Sequence, residues 1–201
     1  GKAVQFSKVK AYFQDIEADH KYSRNAISYG RPSNQNRDQP FEHSSYGAEL
    51  QFRSDRKAGN VLHQISYGLD FSESENERER KVTNNLTGVT ESLKDTPDST
   101  IQRTGIYIQD EIAVNDKLDI IAGIRYDNFD LDAESDAAYL GNGVGVLDPV
   151  GYSESSISPK LSAIYKVNPE LSLYGLYARG FRAPNYVDMN SSFTNVQRRY
   201  T

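Results

Sequence analysis

A polar segment near the start of the chain, residues 19 to 44, carries the side chains best suited to binding a metal. It holds His20, Tyr22 and His43 together with several arginines. Neutral imidazole is a common ligand of metals and of haem iron, so this segment could bind either. The two histidines lack the fixed spacing of a ligand pair, and solvated loop residues are the simpler interpretation. His20 and His43 remain candidate ligand-binding residues.

An acidic run and a serine-rich run are the other stretches that could do chemistry. Hard cations such as Ca²⁺ take several oxygen ligands, but the acidic run lacks the glycine and the terminal glutamate of an EF-hand loop. A charge-rich loop is the simpler interpretation. The serine-rich run, residues 153 to 158, has no G-x-S-x-G turn, and a hydrolase would need a serine, a histidine and an acid at one rim. We therefore predict a protein without catalytic residues, bound metal or resident cofactor. The acidic run comprises Asp127, Asp130, Asp132, Glu134 and Asp136.

The composition excludes several classes of protein. The 201 residues carry a net charge of -5, which argues against a nucleic-acid partner because phosphate binding requires a basic surface. No apolar run approaches the roughly 20 residues of a membrane-spanning helix. The mean hydropathy of -0.70 still permits a membrane β-barrel, in which only alternate strand residues face lipid. With 14 Tyr, 8 Phe and no Trp or Cys, the sequence indicates an all-β protein.

Apolar and polar residues alternate with a period of two along much of the chain. In residues 117 to 127, KLDIIAGIRYD, the even positions are apolar and the odd positions include Lys117, Asp119, Arg125 and Asp127. The same alternation marks residues 61 to 71 and 157 to 167. It predicts about seven antiparallel strands, at residues 3–16, 45–54, 61–71, 102–113, 117–127, 157–167 and 171–181.

Short and long connections alternate strictly between these strands. The short ones, residues 54–60, 114–116 and 168–170, have turn chemistry, and the long ones cover residues 19–44, 73–100 and 130–155. Short turns at one end and long loops at the other are typical of outer-membrane barrels. A soluble sandwich would also alternate, but predicted strands of about 11 to 14 residues exceed the usual 5 to 6 and fit a tilted membrane strand.

Individual residues test the predicted placement of the strands. The aromatic residues near strand ends would form interfacial girdles. Asp110 shares its parity with isoleucines, so it should lie near the short-turn rim, and His63 should be an interfacial side chain. Pro159 cannot donate to a ladder and should mark a rim or bulge near the outer end of its strand. The predicted girdle residues are Tyr12, Phe52, Phe71, Tyr126 and Tyr165.

Two segments resemble a known family. Residues 106 to 129 contain QDE and GIRYD, and residues 158 to 184 contain SPKLS and GFRAP. In this order and spacing they resemble the barrel of TonB-dependent outer-membrane receptors. The tail is similar to the haem and haemoglobin (haemoglobin/transferrin/lactoferrin) receptor branch, in which the FRAP box (Phe181, Arg182, Ala183 and Pro184) is followed by a tyrosine, an acid, an asparagine and a Phe-Thr-Asn element. Those positions are Tyr186, Asp188, Asn190 and Phe193–Asn195 here.

The resemblance implies an internal segment of a larger barrel, of about 22 strands around a plug. It implies a bacterial outer-membrane location, contact with outer-membrane lipid, and a TonB complex that acts through a plug absent from residues 1–201. The implied cargo is haem or haemoglobin iron, with a ferric siderophore as the alternative; an outer-membrane hydrolase and a soluble adhesion domain are remoter ones. Tyr186 is a candidate haem ligand, because no histidine follows His63. Within GFRAP we expect Phe181 to end a strand, Arg182 to meet the lumen or lipopolysaccharide, and Pro184 to stop the ladder.

Overall fold

The computed structural model describes residues 3–28, 31–141, 148–184 and 186–190, and nearly all of them belong to one antiparallel sheet. The strands are β1 (Phe6–Ser28), β2 (Arg31–Ala58), β3 (Val61–Arg78), β4 (Arg80–Asn84), β5 (Thr90–Leu93), β6 (Asp98–Asn115), β7 (Leu118–Glu134), β8 (Tyr152–Asn168) and β9 (Leu171–Ala178). Their order in the sheet is β5-β4-β2-β3-β6-β7-β8-β9, and β1 pairs with β2. Two short helices, α1 (Ala137–Leu140) and α2 (Tyr186–Asn190), lie outside the sheet.

The two faces of the sheet differ sharply in chemistry. One row of directly paired residues is apolar across six strands: Val9, Leu50, Leu69, Ile106, Tyr126 and Ile157. The next row points to the other face and is mainly polar: Lys8, Gln51, Gly68, Tyr107, Arg125 and Ser158. We call these the apolar face and the inner wall.

The apolar face is uncovered. Val9 is 73% exposed and Ile106 is 57% exposed, and no second sheet packs on them within the described residues. A soluble sandwich would bury this face against a second sheet. The all-β prediction and the barrel-type alternation are therefore confirmed, and the sandwich alternative is wrong for the described part of the chain.

The strands are longer and more numerous than the alternation predicts. The predicted loop at residues 19–44 is wrong, because β1 and β2 pair continuously from Phe6↔Arg53 to Ser28↔Arg31. The predicted loop at 73–100 holds the β4–β5 hairpin, which brings the strands to nine. Polar side chains on both faces of these segments remove the apolar period while the backbone ladder continues.

The three tight turns are confirmed and depend on local geometry. Gly59 has φ of 62° in the turn between β2 and β3, a conformation that suits glycine. Asn115 Oδ1 accepts hydrogen bonds from the backbone N–H groups of Lys117 (2.9 Å) and Leu118 (3.0 Å). Asn168 Oδ1 accepts one from the Glu170 N–H at 2.9 Å. Such Asx turns fix where each hairpin reverses.

Pro159 marks the end of one ladder but not of its strand. It lies within β8, opposite Ile124 of β7, and β8 stays paired with β7 as far as Tyr152. The ladder with β9 stops at Lys160↔Ala178, and Pro159 O accepts the Arg179 N–H at 3.0 Å. A strand residue points its N–H and C=O to the same side, so the missing donor of Pro159 faces β9.

Most predicted girdle residues lie on the apolar face, including Tyr126 and Tyr165. Tyr12 is a correction, because it pairs with Gly47 and its ring covers that glycine on the inner wall. Asp110 and His63 both lie on the apolar face, nearer the short turns than the long connections. No helix in the described ranges is long and apolar enough to cross a membrane.

Candidate functional site

The segment after β9 turns inward at the long-connection end of the sheet. There, the inner wall carries the main buried apolar cluster of the described residues: Ile101, Phe129 and Leu131. Phe181 and Ala183 pack against it, and Arg103 lies 5.4 Å from the Phe129 ring centroid. Burying an aromatic ring on this cluster fixes the direction of the chain after Ala178.

The FRAP box is therefore placed differently from the sequence expectation. The ladder ends at Ala178, so neither Phe181 nor Pro184 terminates a strand. Phe181 packs on the inner wall, Arg182 is exposed to solvent, and Pro184 is half-buried. The physical reason is the apolar cluster, which draws the chain off the sheet edge before Pro184 is reached.

Helix α2 is fastened to the connection between α1 and β8. Asn190 Nδ2 donates to Val150 O at 3.0 Å, and the Val150 N–H donates to Asn190 Oδ1 at 2.9 Å. Tyr139 Oη donates to Asn190 O at 3.3 Å, and both residues are buried. The Asn190 side chain thus binds backbone of its own chain. Tyr186 and Asp188 lie on α2 with side chains outside the described part, as does all of Phe193–Asn195.

Lys94 joins the connection after β5 to the start of α1. Its ammonium lies 2.6 Å from Asp98, 2.9 Å from Asp136 and 3.2 Å from Glu77, and its side chain is 7% exposed. The Lys94 N–H also donates to Ala138 O at 3.1 Å. Burial lowers the pKa of Lys94, but the three carboxylates outweigh it and raise the pKa above its usual range.

Asp136 has two roles at this point. One oxygen binds Lys94 and the other accepts the Tyr139 N–H at 2.8 Å as the N-cap of α1. Burial raises the pKa of Asp136, but the hydrogen bonds from Lys94 and Tyr139 hold it below its usual value. We call the joined segments the loop assembly: Lys94, residues 136–141, 148–151, 179–184 and 186–190.

The β1–β2 hairpin extends past β3 as an arm, residues 19–28 and 31–40. Tyr22 and Arg37 are directly paired on the side continuous with the inner wall. Arg37 Nη1 donates to Tyr22 Oη at 3.2 Å, and the guanidinium lies 5.9 Å from the ring centroid. The His20 ring lies 5.3 Å from the same tyrosine.

Arg37 has no acidic partner in the part of the chain that the structure describes. Its hydrogen bonds go to Tyr22 and Gln35, and no carboxylate of the described residues lies within 4.0 Å of it. Lys21, on the other face of the arm, lies 3.2 Å from Asp19 and 3.4 Å from Asp38. The sequence alone does not single out Arg37, which is one of several arginines in this segment. Its cross-strand pairing with Tyr22 becomes visible once the arm is recognised as a hairpin.

The candidate metal ligands do not converge. His20 pairs with Gln39 and His43 with Ile16, so the histidines are about four strand positions, roughly 13 Å, apart. The three histidines bind Gln39, Asn76 and Asp110 respectively. No group of three or more histidines and carboxylates in the described ranges could hold a metal ion.

The acidic run divides between the two faces of β7 and the loop beyond it. Asp127 lies on the inner wall and binds Arg125 Nε at 2.7 Å, whereas Asp130 pairs with Ser153 on the opposite face. Asp136 binds Lys94. Alternation along a strand separates the carboxylates, so the predicted Ca²⁺ alternative lacks a convergent ligand set.

An ion pair on the inner wall crosses an entire strand. Arg125 of β7 reaches Asp70 of β3 with two bonds, Nη1 to Oδ1 at 2.9 Å and Nη2 to Oδ2 at 3.0 Å. Gly105 of the intervening β6 lies beneath, and a Cβ there would overlap the guanidinium. Glycine at this position leaves room for the long side chain to pass directly over the backbone, and a Cβ would displace the end of the Arg125 side chain.

Three solved structures resemble this chain. The siderophore receptor PiuA of Acinetobacter baumannii superposes with a TM-score of 0.58 at 14% identity, over 86% of this chain and 29% of that one. BauA, the ferric preacinetobactin receptor of the same organism, gives 0.55 at 14% identity, over 85% and 27%. The ferric citrate transporter FecA, unliganded, gives 0.53 at 15% identity, over 83% and 24%.

At 14 to 15% sequence identity, these similarities show a shared fold and nothing further. The chain spans less than a third of each of those proteins. No curated protein matches it. The family described as TonB dependent receptor-like, beta-barrel, matches residues 3–201. With one sheet, one apolar face and long connections at one end, the chain belongs to the TonB-dependent receptor β-barrel family.

Proposed function

We propose that this chain is part of the barrel of an outer-membrane receptor that takes up a ferric siderophore. The observation that carries the proposal is the Arg37–Tyr22 pair at the long-connection end of the inner wall, where a cation without a carboxylate partner among the described residues lies beside an aromatic ring. Iron(III) chelates built from oxygen ligands are commonly anionic. A guanidinium offers them several donors, and a tyrosine ring offers a stacking surface.

The placement of charges on the arm supports the proposal. Lys21 and Lys81 face the other side of the arm and lie within 4.0 Å of carboxylates of their own chain. Arg37 therefore adds positive charge only to the side that continues into the inner wall. Two of the similar structures are a siderophore receptor and a ferric preacinetobactin receptor, and the third is a ferric citrate transporter.

The surrounding machinery forms part of the same proposal. The apolar face would contact outer-membrane lipid, and the inner wall would enclose a plug through which a TonB complex acts. The long connections would then face the cell exterior, and the tight turns at Gly59, Asn115 and Asn168 would face the periplasm.

Haem or haemoglobin uptake is the second candidate. It is favoured by the His20 ring beside Tyr22 on the same side of the arm as Arg37. A haem bound there would use His20 as an axial ligand and Arg37 for a propionate. His43 would take no part, because it lies roughly 13 Å further along the hairpin.

The test uses the full-length receptor that carries this chain, with Arg37→Gln as the probe. We expect affinity for its ferric siderophore, measured by ⁵⁵Fe binding against a siderophore panel, to fall about ten- to a hundredfold. That range corresponds to loss of one charge-assisted hydrogen bond of about 1.5 to 3 kcal/mol. Lys21→Gln is the matched control, and we expect a change of less than about twofold because Lys21 is exposed and paired.

Equal losses in both variants would indicate general electrostatic attraction and contradict a site at Arg37. Haem titration of the same preparations separates the two candidates. A haem absorbance shift that disappears in His20→Ala, together with no binding from the siderophore panel, would replace the siderophore proposal with the haem one.

A further inference from the structure

Charged side chains divide between the two sides of the sheet at its long-connection end. Arg78 of β3 and Arg103 of β6 lie an even number of positions from Gly68 and Tyr107, so both belong to the inner-wall side. The carboxylates of the same strands and of β7 that lie on the opposite side include Glu73, Glu75, Glu77, Asp98, Asp130 and Asp132. The inner-wall side of this end is therefore more basic than the side that continues the apolar face.

Three arginines follow one another from the arm toward the middle of the inner wall. Arg78 pairs with Phe41, which lies four positions from Arg37 along β2. Arg103 shares a row with Gly47, six positions further along the same strand. At about 3.3 Å per strand residue, these steps correspond to roughly 13 Å and 20 Å. Arg103 is thus the arginine that lies furthest from the arm.

The Arg103 side chain is exposed and has its donors free. Its guanidinium carbon lies 5.4 Å from the ring centroid of Phe129, and the group has no hydrogen bond or ion pair with the described residues. Two inner-wall carboxylates of the following strands have other partners, since Asp127 binds Arg125 and Glu154 accepts a hydrogen bond from a tyrosine. The guanidinium can therefore offer its five N–H donors to the oxygens of a ligand.

A cleft of about 400 Å³ separates this part of the inner wall from the segment after β9. Arg103 and Phe129 line it on the wall, and Phe181 and Ala183 line it on the segment. Phe181 and Ala183 are only half-buried, so part of their carbon surface stays accessible. Sites for small molecules have volumes of about 300 to 1,000 Å³ and combine apolar lining with a few polar groups. A cation beside apolar surface fits a compound that carries anionic oxygens on an apolar body.

We propose that Arg103 and this cleft form a second anion-binding site, deeper on the inner wall than Arg37. The Arg103 guanidinium binds two oxygens of the anion side by side, and Phe181 and Ala183 contact its apolar part. That the natural anion is a ferric siderophore that has passed Arg37 rests on the proposed function. The anion site itself does not, because it depends only on the free cation and the cleft beside it.

The test detects an anion next to the segment that borders the cleft. A trifluoromethyl label is attached to Arg182→Cys in the full-length receptor, with no other reactive cysteine; Arg182 is exposed and lies between Phe181 and Ala183. The probe is tris(oxalato)chromium(III), a paramagnetic trianion that presents carboxylate oxygens. It should broaden the ¹⁹F signal saturably, because it occupies the cleft. A neutral gadolinium chelate is the control and should broaden the signal only in proportion to its concentration.

Arg103→Gln should weaken the affinity of the chromium probe about tenfold or more, the effect of losing a charge-assisted hydrogen bond. Arg103→Lys should retain an intermediate affinity, because it keeps the charge but loses the paired donors. Lys117→Gln is the matched control, since it removes one exposed positive charge at a tight turn on the other end of the sheet. The probe's affinity should be unchanged there, and equal weakening in Lys117→Gln and Arg103→Gln would contradict a site at Arg103.

Broadening that does not saturate, or that is the same in Arg103→Gln and the wild type, would overturn the proposal. Arg37→Gln should leave the affinity of the chromium probe unchanged, because Arg37 lies roughly 33 Å away along the strands. Loss of saturable broadening with intact ⁵⁵Fe binding therefore counts against the cleft alone. Saturable broadening together with failure of the Arg37 test counts against the proposed function alone.

The same label tests whether the siderophore reaches the cleft. A ferric siderophore that the receptor binds should broaden the ¹⁹F signal at saturation, whereas its diamagnetic gallium(III) analogue should not. Arg103→Gln should remove this broadening while ⁵⁵Fe binding at Arg37 persists. Equal signals with the iron and gallium chelates would confine the siderophore to Arg37 and overturn its passage to the second site.

Discussion

The arm and the loop assembly occupy the same end of the sheet, but a cationic side chain is neutralised by carboxylates in the loop assembly and not in the described part of the arm. Lys94 of the loop assembly is buried and lies within 3.2 Å of three carboxylates. Arg37 of the arm has no carboxylate of the described chain within 4.0 Å. A buried, neutralised charge holds its neighbours in one arrangement, because moving any of them leaves charge unpaired. An unneutralised charge on an accessible surface is available to a ligand.

The difference between these regions divides the charged residues into structural and recognition groups. Arg125, bound to Asp70 and Asp127 on the inner wall, resembles Lys94 in being neutralised. Substitutions at Lys94 and Arg125 should thus change stability. Substitution of Arg37 should change ligand affinity while leaving stability nearly unchanged.

Lys94→Met should have the largest effect on stability. It leaves Glu77, Asp98 and Asp136 close together without their common cation. Removing one member of a buried ion pair costs about 3 to 5 kcal/mol, and the partial exposure of these carboxylates reduces this to about 2 to 3 kcal/mol. The measurement is hydrogen exchange of residues 137–140 and 148–151 in the full-length receptor.

Lys21→Met is the control for that substitution, because Lys21 also has two carboxylate partners but lies exposed on the arm. We expect its hydrogen exchange to stay close to that of the wild type, because solvent-exposed ion pairs contribute little to stability. Similar exchange in both variants would show that burial of Lys94 does not distinguish the two regions.

Gly105→Ala should have the next largest effect, about 2 kcal/mol, because the added methyl group overlaps the Arg125 guanidinium and lies 2.8 Å from Asp70 Oδ2. The midpoint of urea unfolding measures the loss. Gly123→Ala is the matched control on the next strand, where the new Cβ would make ordinary contacts of 3.4 Å with Gln109. A midpoint for Gly105→Ala equal to that of Gly123→Ala would contradict the role of the cross-strand ion pair.

The parts of the molecule that sequence reasoning predicted are those where a local pattern has a uniform physical cause. Alternation identified the long strands because the residues of one face are apolar at every second position, as the six-strand row from Val9 to Ile157 shows. Asn115 and Asn168 identified turns because an Asx turn involves only neighbouring residues. That the 201 residues lack the plug stays a prediction.

The parts that sequence reasoning missed depend on contacts between distant segments. The arm keeps its ladder although polar residues line both of its faces, so the apolar period gives no sign of strand. Asn190 meets Val150 across 40 residues, and Lys94 meets Asp136 across a complete hairpin. No local spacing encodes such pairs. The family resemblance identified the FRAP box. It did not predict that this segment leaves the sheet edge and packs on the inner wall, because that path depends on the cluster formed by Phe129 and Leu131.

Phe181→Ala tests that direction, with an expected loss of about 1.5 kcal/mol. Full burial of a phenylalanine would give about 3 to 5 kcal/mol, and Phe181 is only partly buried. Limited proteolysis should show faster cleavage within residues 179–184. Arg182→Ala is the control, since this neighbouring side chain is exposed and should leave cleavage unchanged. Equal cleavage of both variants would show that the apolar cluster does not hold the segment.

Acid should open the loop assembly by the smallest of these amounts, because Asp136 is exposed enough for solvent to screen its interactions. The pKa of Asp136 in the folded state lies below its ordinary value of 3.8, so its contribution to stability is present above pH 3.8 and is lost as pH falls through the folded value. The pKa of Lys94 is raised above 10.5, so the Lys94 contribution is fully present throughout this range. Burial raises the pKa of Asp98, which gives this residue the opposite dependence on pH.

Pepsin cleavage near Tyr139, normalised to a free peptide at each pH between 2 and 5, should therefore accelerate toward the acid end in the wild type. Asp136→Asn should remove that acceleration and Asp98→Asn should keep it. Acceleration that persists in Asp136→Asn would assign the acid sensitivity to another group, whereas the arm, cleaved in the same samples, should show no dependence on either substitution.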